Sequence, residues 1–310
     1  PHLWNSDPPL ASANLDAVTF IEQLGAWPAR IAWILLALVG QITLTDALSG
    51  RSTAVSAVVW VGIAIGWTGG LVALLVPRTT SLTAARTLVP GGLVAAVVSA
   101  TAGSTTDWAD LAAVTVAAIA VVAVLSPWFT EAWVDGSSYG TERRLPLQTP
   151  PLFAGLVAPL TWLAVAASVV AGPLLLAARQ WVAGALALAV GALVCWRGVQ
   201  SLHQLARRWV VMVPNGLVIH DPLTLPEPHL FLRTSIAAIG PAEAGTDALD
   251  LTAGASGLAL EVSMSEPVEL LVRSKGRETS TIERTQLILT PARPARFLAA
   301  ARENRLAAEV

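Results

Sequence analysis

The chain has 310 residues, of which 54% are hydrophobic and 13% are charged, and its formal net charge is −2 at pH 7. Soluble proteins usually carry about a quarter charged residues, so this composition excludes a chain that is soluble throughout, and the near-neutral charge gives no reason to expect a nucleic-acid partner. Charges are sparse between positions 31 and 200 and ordinary in number after that, which indicates one part in lipid and another in water.

The first 30 residues precede any long apolar segment. Within them, residues 14–24 predict a short amphipathic helix, with Phe20 and Leu24 on one face and Asp16 and Glu22 on the other. We interpret this helix as lying in the membrane interface, and packing on the protein itself is an equal alternative. No removable signal peptide is expected ahead of the first apolar segment.

Six apolar segments follow, and all but the short fourth approach the length of about 20 residues that a helix needs to cross a bilayer. They cover residues 31–48, 53–76, 82–102, 110–125, 152–177 and 181–199. Residues 31–200 are therefore predicted to form an all-α membrane domain of about six transmembrane helices, with a polar loop at 127–151. Because most arginines near the ends of these segments fall on one side, the positive-inside rule predicts a plasma-membrane protein with both termini cytoplasmic.

After the sixth segment the apolar pattern changes to a period of two. Residues 208–221 predict a hairpin around Asn215-Gly216, a dipeptide that favours a type I′ turn. Further strands are predicted at 229–233, 235–239, 248–252, 258–263, 268–273 and 286–289, and a helix from Pro294 to about Leu306. Residues 201–310 are thus expected to form a cytoplasmic β-rich domain that folds alone as a fragment beginning near Ala206.

The sequences VPNGLVIHD, RTSIAAIG and LILTPARPARFLAAARE, which belong to this C-terminal part, resemble those of bacterial pleckstrin-homology-like (PH-like) domains. This resemblance implies about seven strands closed by one C-terminal helix. The chain as a whole, including its polar stretch at 135–150, resembles uncharacterised multi-spanning membrane proteins of actinobacteria. That resemblance implies no particular activity.

Three sets of residues are candidates for binding or packing. Arg143 and Arg144 in the polar loop are expected either to hold an anionic lipid headgroup, to dock the β domain onto the membrane domain, or to serve only as topogenic charge. In the β domain, Arg273, Lys275 and Arg277 flank one loop, where eukaryotic PH-like domains often bind phosphorylated lipids, although a solvated hairpin is the simpler interpretation. Gly62, Gly66 and Gly70 form a stripe in the second segment that lets another helix approach, either from this chain (Gly91-Gly92 is the candidate) or from a second subunit.

Catalytic and metal-binding patterns are weak. Residues 136–140 (GSSYG) match the letters of a nucleophile elbow, but they lie in a polar loop rather than a strand–turn–helix unit. The four histidines have no ligand partner at metal-site spacing, and we expect no metal, no cofactor and no enzymatic activity.

The function predicted first is therefore a non-catalytic accessory or scaffold subunit whose β domain binds a protein partner in the same membrane. The alternative is a pore or a lipid-translocating protein. Membrane lipids are expected partners, and the oligomeric state is left open. A membrane enzyme that uses the loop at 135–150 ranks third.

Overall fold

The computed structural model describes residues 25–103, 107–273 and 279–308. Six of its helices are long and apolar enough to cross a membrane, which confirms the predicted transmembrane architecture. They are α1 (Trp27–Ala47), α2 (Thr53–Leu75), α3 (Thr79–Ala102), α4 (Trp108–Leu125), α6 (Ala158–Ala177, preceded by a π-helical turn at Phe153–Val157) and α7 (Trp181–Ala206). The interfacial helix predicted at residues 14–24 lies outside the described residues.

The indole of Trp33 on α1 is enclosed by helices α2 and α3. Its ring fits between two glycines, since a Cβ added to Gly70 on α2 or to Gly92 on α3 would lie 2.6 Å from the ring. The Nε1–H of Trp33 donates to the carbonyl of Trp67 at 2.9 Å, and the Nε1–H of Trp67 donates back to the carbonyl of Trp33 at 3.0 Å. In lipid, where apolar burial does not drive helices together, such close packing and interhelical bonds carry the association.

Helices α6 and α7 pack mainly on each other, and their main contacts with the first four helices are with α2 and α3. On α7, the glycines facing α6 are Gly184, Gly191 and Gly198, and a Cβ at Gly191 would lie 2.9 Å from the carbonyl oxygen of Ser168. Their spacing of seven residues keeps them on one seam of the helix pair. The predicted stripe on α2 behaves differently, because only Gly70 has a neighbour, whereas Cβ positions at Gly62 and Gly66 meet nothing within 4 Å.

A short helix that the sequence analysis does not predict, α5 (Pro127–Asp135), follows α4. Ser126 caps it by accepting a bond from the Phe129 N–H, and a proline occupies its first turn. Trp133 on α5 is buried and donates its Nε1–H to the Ala73 carbonyl of α2 at 2.9 Å. The beginning of the predicted polar loop is therefore packed against the bundle.

The β domain contains two four-stranded sheets and a terminal helix, α8 (Pro294–Glu303). The strands are β1 (Arg143–Pro146), β2 (Trp209–Val213), β3 (Gly216–His220), β4 (His229–Leu232), β5 (Ile236–Pro241), β6 (Leu249–Asp250), β7 (Leu260–Arg273) and β8 (Thr279–Leu289). The first sheet has the order β1-β2-β3-β4, and the second has the order β5-β7-β8-β6. Inward residues of both sheets and Phe297 of α8 share one core. This arrangement confirms a helical bundle followed by a β-rich domain.

Two details of the observed strands differ from the prediction. The β2–β3 hairpin turns on Pro214-Asn215, since Val213 pairs with Gly216, so its first central residue is a proline. Proline holds φ negative and cannot occupy a type I′ turn, so the predicted turn type is wrong. Gly216 is instead needed because a Cβ there would collide with the Phe231 carbonyl of β4. The strands predicted at 258–263 and 268–273 form one strand, β7, with an irregularity between Ser263 and Val268.

Candidate functional site

The bundle and the β domain are joined through the loop that the sequence analysis assigns to the membrane domain. Strand β1 comes from this loop and pairs antiparallel with β2, so that Arg144 lies opposite Val211. Leu145 and Leu147 of the loop are buried in the β-domain core. In the other direction, Trp209 of β2 is buried in the apolar cluster of the bundle. A boundary at residue 201 therefore leaves out one strand of the β domain, and we call this region of shared contacts the junction.

A buried ion pair lies beside the junction. Arg208 donates from Nε and Nη2 to the two carboxylate oxygens of Asp221, at 2.8 and 2.7 Å, and both side chains are fully buried. A third donor, Nη1, reaches the Gln148 carbonyl of the loop at 2.7 Å, and Nη2 also reaches the Thr252 carbonyl at 3.3 Å. The bidentate geometry and the additional carbonyls satisfy the guanidinium in a place without water.

A second charge cluster connects α5 to the end of the β domain. The carboxylate of Glu131, which is 9% exposed, accepts a bond from Arg293 at 2.9 Å and another from Arg296 Nε at 3.1 Å. Arg296 lies on α8 and Arg293 directly precedes it. Both arginines thus share one carboxylate of α5, and Glu131 fixes the terminal helix against the membrane domain.

The two arginines predicted for lipid or domain docking both lie on β1. The Nη1 of Arg143 is 4.0 Å from Asp135, and its side chain is half exposed. The backbone N–H of Arg144 donates to Asp135 at 2.9 Å, while its guanidinium lies over the Trp209 ring, 5.9 Å from the centroid. The Nη2 of Arg144 is 3.9 Å from Glu142, which is too long for a hydrogen bond. The Nε of Arg144 is buried and has no hydrogen-bond partner among the described residues.

Arg144 borders an open groove of about 300 Å³ on the outer face of the first sheet. The groove is lined by Glu142, Arg144, Trp209, Val211, Val213, Val218, His220 and Pro228. Trp209 and His220 stack at 4.6 Å, and the His220 Nδ1–H donates to the Arg207 carbonyl at 2.8 Å. This leaves Nε2 of His220 to accept from the Arg207 guanidinium at 3.3 Å. One end of the groove is thus cationic and aromatic, and the other end is formed by valines.

The same outer face continues to an open strand edge at β4. Leu230 lies opposite Val218, and Leu230 and Leu232 are 46% and 50% exposed. The edges of β1 and β5 are partly covered, because residues 290–292 bond along the end of β1 and Ala307 accepts from Ile239 of β5. Strand β4 ends the order of its sheet, and no other described strand pairs with its outer side.

On the inner face of β4, burial lowers the pKa of the half-buried His229 imidazole, which contacts the Phe231 ring.

An arginine that the sequence analysis treats only as topogenic charge lies inside the bundle. Arg86 is within α3 and donates to the hydroxyl of Thr130 on α5. Its Nε is buried and unpartnered among the described residues. Nearby on the same helix, the Thr83 hydroxyl lies 2.8 Å from His203 Nδ1 of α7. These polar contacts connect α3 to α5 and to α7.

The remaining predicted site residues are not brought to the junction. Arg273 ends β7 in the second sheet, where its backbone N–H donates to Thr224 at 2.8 Å. Lys275 and Arg277 lie outside the described residues. In the loop that resembles a nucleophile elbow, the Ser138 hydroxyl donates to Asp135 at 2.8 Å, which is an ordinary turn contact.

Sequence reasoning missed Glu131 and the Arg208–Asp221 pair, although signals existed for both. Opposite charges stand at the two ends of the predicted hairpin, where cross-strand neighbours meet. Glu131 is a lone acidic residue within an aromatic-rich stretch after the fourth span.

In comparisons of the chain with protein-family models, with curated proteins and with solved structures, nothing matches. The resemblances to PH-like domains and to actinobacterial membrane proteins therefore stay predictions.

Proposed function

We propose that this integral membrane protein is a non-catalytic accessory or scaffold subunit of the plasma membrane, with both termini cytoplasmic. Its β domain, interpreted as PH-like, binds a protein partner of the same membrane. The observation that carries the proposal is the open edge of β4, where backbone groups and the exposed side chains of Leu230 and Leu232 are available together. An extended segment of a partner can add a strand there, with main-chain bonds for affinity and apolar contacts for specificity.

The construction of the junction supports a scaffold role. Strand β1, the carboxylate of Glu131 and the buried Trp209 all connect the β domain to the bundle. A domain on a flexible linker would sample many orientations, whereas a shared sheet and a shared apolar cluster hold the β4 edge in one place. A partner bound there is presented at a fixed position relative to the membrane.

The PH-like interpretation is supported by the arrangement of the strands. Two four-stranded sheets enclose one core, and the helix α8 follows the last strand and contributes Phe297 to that core. This is the layout that the resemblance implies, with one strand supplied from the loop between two spans.

Site-specific cross-linking in native membranes tests the proposal. We expect a photoreactive residue at Leu232 to form an adduct with one membrane protein, and the same residue at Thr281, which is exposed on β8 of the other sheet, to form none. The double variant Leu230→Glu, Leu232→Glu should abolish co-purification of that protein while leaving the melting temperature unchanged. Absence of an adduct, with a lone monomer on gentle purification, contradicts the proposal.

The alternative of an oligomeric pore or lipid path has one observation in its favour. Gly62 and Gly66 face outward from the described bundle with room for a second helix. A cysteine at Gly66 in a Cys195→Ala background tests it, since an oligomer should form disulfide dimers in the membrane. Dimers together with flux in reconstituted vesicles would place this function ahead of the scaffold.

A further inference from the structure

The groove beside Arg144 has two chemically different ends. At one end, the Arg144 guanidinium lies over the Trp209 ring with Glu142 beside it, and Arg207, next to the groove, contacts the Nε2 of the stacked His220 ring. At the other end, the side chains of Val211, Val213 and Val218 form an apolar wall that is only half-buried. A groove of this composition is complementary to an amphiphile with a negatively charged head.

The hydrogen bonds at the charged end are incomplete. The Nε–H of Arg144 is shielded from solvent without an acceptor among the described residues, and its Nη2 stays 3.9 Å from Glu142. A buried donor without a partner is unfavourable, so an acceptor supplied by a ligand would be favoured. Among the described residues, the Arg207 guanidinium has a side-chain contact with His220 and none with a carboxylate, which leaves its charge available to an anion.

The position of the groove determines which anion can reach it. Arg207 directly follows the last residue of α7, and Trp209 packs into the apolar cluster of the bundle. The charged end therefore lies where a transmembrane helix leaves the bilayer, at the depth of the lipid headgroups. A lipid of that leaflet reaches the groove without leaving the membrane.

We propose that this groove binds one anionic phospholipid, with its phosphate on Arg144 near the charge of Arg207 and its glycerol and first methylenes along Val211 and Val218. The indole of Trp209 lies between the two ends, as aromatic side chains do at membrane interfaces. The lipid fills the outer face between the bundle and the β4 edge and completes the hydrogen bonds of Arg144. This site is independent of the proposed partner protein, which binds along β4.

Photoaffinity labelling of the full-length protein in nanodiscs tests the site. Photoreactive phosphatidylglycerol should label peptides of β2 and β3, and the same probe with a phosphatidylcholine head should label them weakly. In the double variant Arg144→Gln, Arg207→Gln we expect labelling with the anionic probe to fall about tenfold or more, because charge-assisted bonds are lost. Arg179→Gln, at the opposite end of α7, is the matched control and should leave labelling unchanged.

A second variant distinguishes loss of the binding site from loss of folding. Val218→Trp fills the apolar wall and keeps both arginines, so it should block labelling without changing the melting temperature. Equal labelling by the two probes, or labelling that survives both variants, overturns the proposal. Competition by free glycerol phosphate as strong as that by the lipid would assign the site to a soluble anion instead. None of these outcomes depends on the cross-link at Leu232, so the proposed lipid site and the proposed partner site are tested independently.

Discussion

The bundle and the β domain hold themselves together in opposite ways. In the first four helices, the large buried side chain of Trp33 fits between two residues without side chains, Gly70 and Gly92. In the β domain, alternating apolar residues of two sheets close around one core, and a fully buried ion pair, Arg208–Asp221, lies beside it. The difference follows from the solvent, because water drives apolar side chains together and lipid does not.

The comparison also explains where the two regions meet. An exposed sheet edge is prone to pairing with other chains, and that of β2 is covered by β1, a strand that comes from the loop of the membrane domain. The β domain is therefore complete only when this loop is present.

A fragment of residues 206–310 should fail to fold. It lacks β1 and the core side chains of Leu145 and Leu147, and it exposes the edge of β2. We expect aggregation, or no protected amides in hydrogen exchange. Fusing residues 141–150 to the same fragment should restore a soluble fold, and a well-folded fragment without them would show that the domain is independent of the loop.

Replacing Arg208 by Met should destabilise the β domain by about 3–5 kcal/mol, because the Asp221 carboxylate would stay buried without its partner. The double variant Arg208→Met, Asp221→Leu removes both charges and should recover much of that loss. Denaturant unfolding followed by hydrogen exchange in β2 and β3 measures both values. Equal stability of the single and double variants would contradict a coupled pair.

The neighbouring glycines of α3 provide a matched test of packing in the bundle. A methyl group at Gly92 would meet the Trp33 ring, whereas one at Gly91 meets nothing within 4 Å. Gly92→Ala should therefore cost about 1–3 kcal/mol. Gly91→Ala should be neutral or slightly stabilising. Melting temperatures in one detergent give the comparison, and similar values for the two variants would place the indole elsewhere.

Glu131→Gln tests the contact that connects the two regions. Arg293 and Arg296 would lose their anionic partner, and because Arg296 is half exposed we expect a loss of only about 1–2 kcal/mol. Hydrogen exchange of α8 should accelerate, while exchange in α1 to α4 stays unchanged. Glu142→Gln, a more exposed carboxylate of the same loop, is the control.

The smallest effect concerns pH. Burial lowers the pKa of His229 from its ordinary value of 6.5, so the unfolded chain binds the proton more tightly than the folded chain. Its contribution to stability is complete above pH 6.5 and declines as the pH falls through the interval between the unfolded and folded pKa values. Melting temperatures of the wild type and of His229→Gln should converge as the pH falls below 6.5. A difference independent of pH would contradict this assignment.

Local sequence patterns are sufficient to predict the six spans, the change from lipid to water after α7, the β2–β3 hairpin and the terminal helix. Each depends on a local pattern: an apolar segment of sufficient length, a period of two, or a proline that opens a helix. Long-range partners are not encoded locally. The stripe of Gly62, Gly66 and Gly70 marked one helix face, but only the packed structure decided that Gly70 and Gly92 enclose Trp33.

The origin of β1 depended on tertiary structure for the same reason. The residues Arg143 to Pro146 form too short a segment to be identified as a strand, and their partner β2 lies more than sixty residues further along the chain. Whether Arg144 faces a lipid, a carboxylate or the Trp209 ring is likewise a matter of which surfaces the fold brings together. The sequence specified the lengths and periods of the elements, whereas their edges, clefts and charge partners emerged only when elements distant in the chain came into contact.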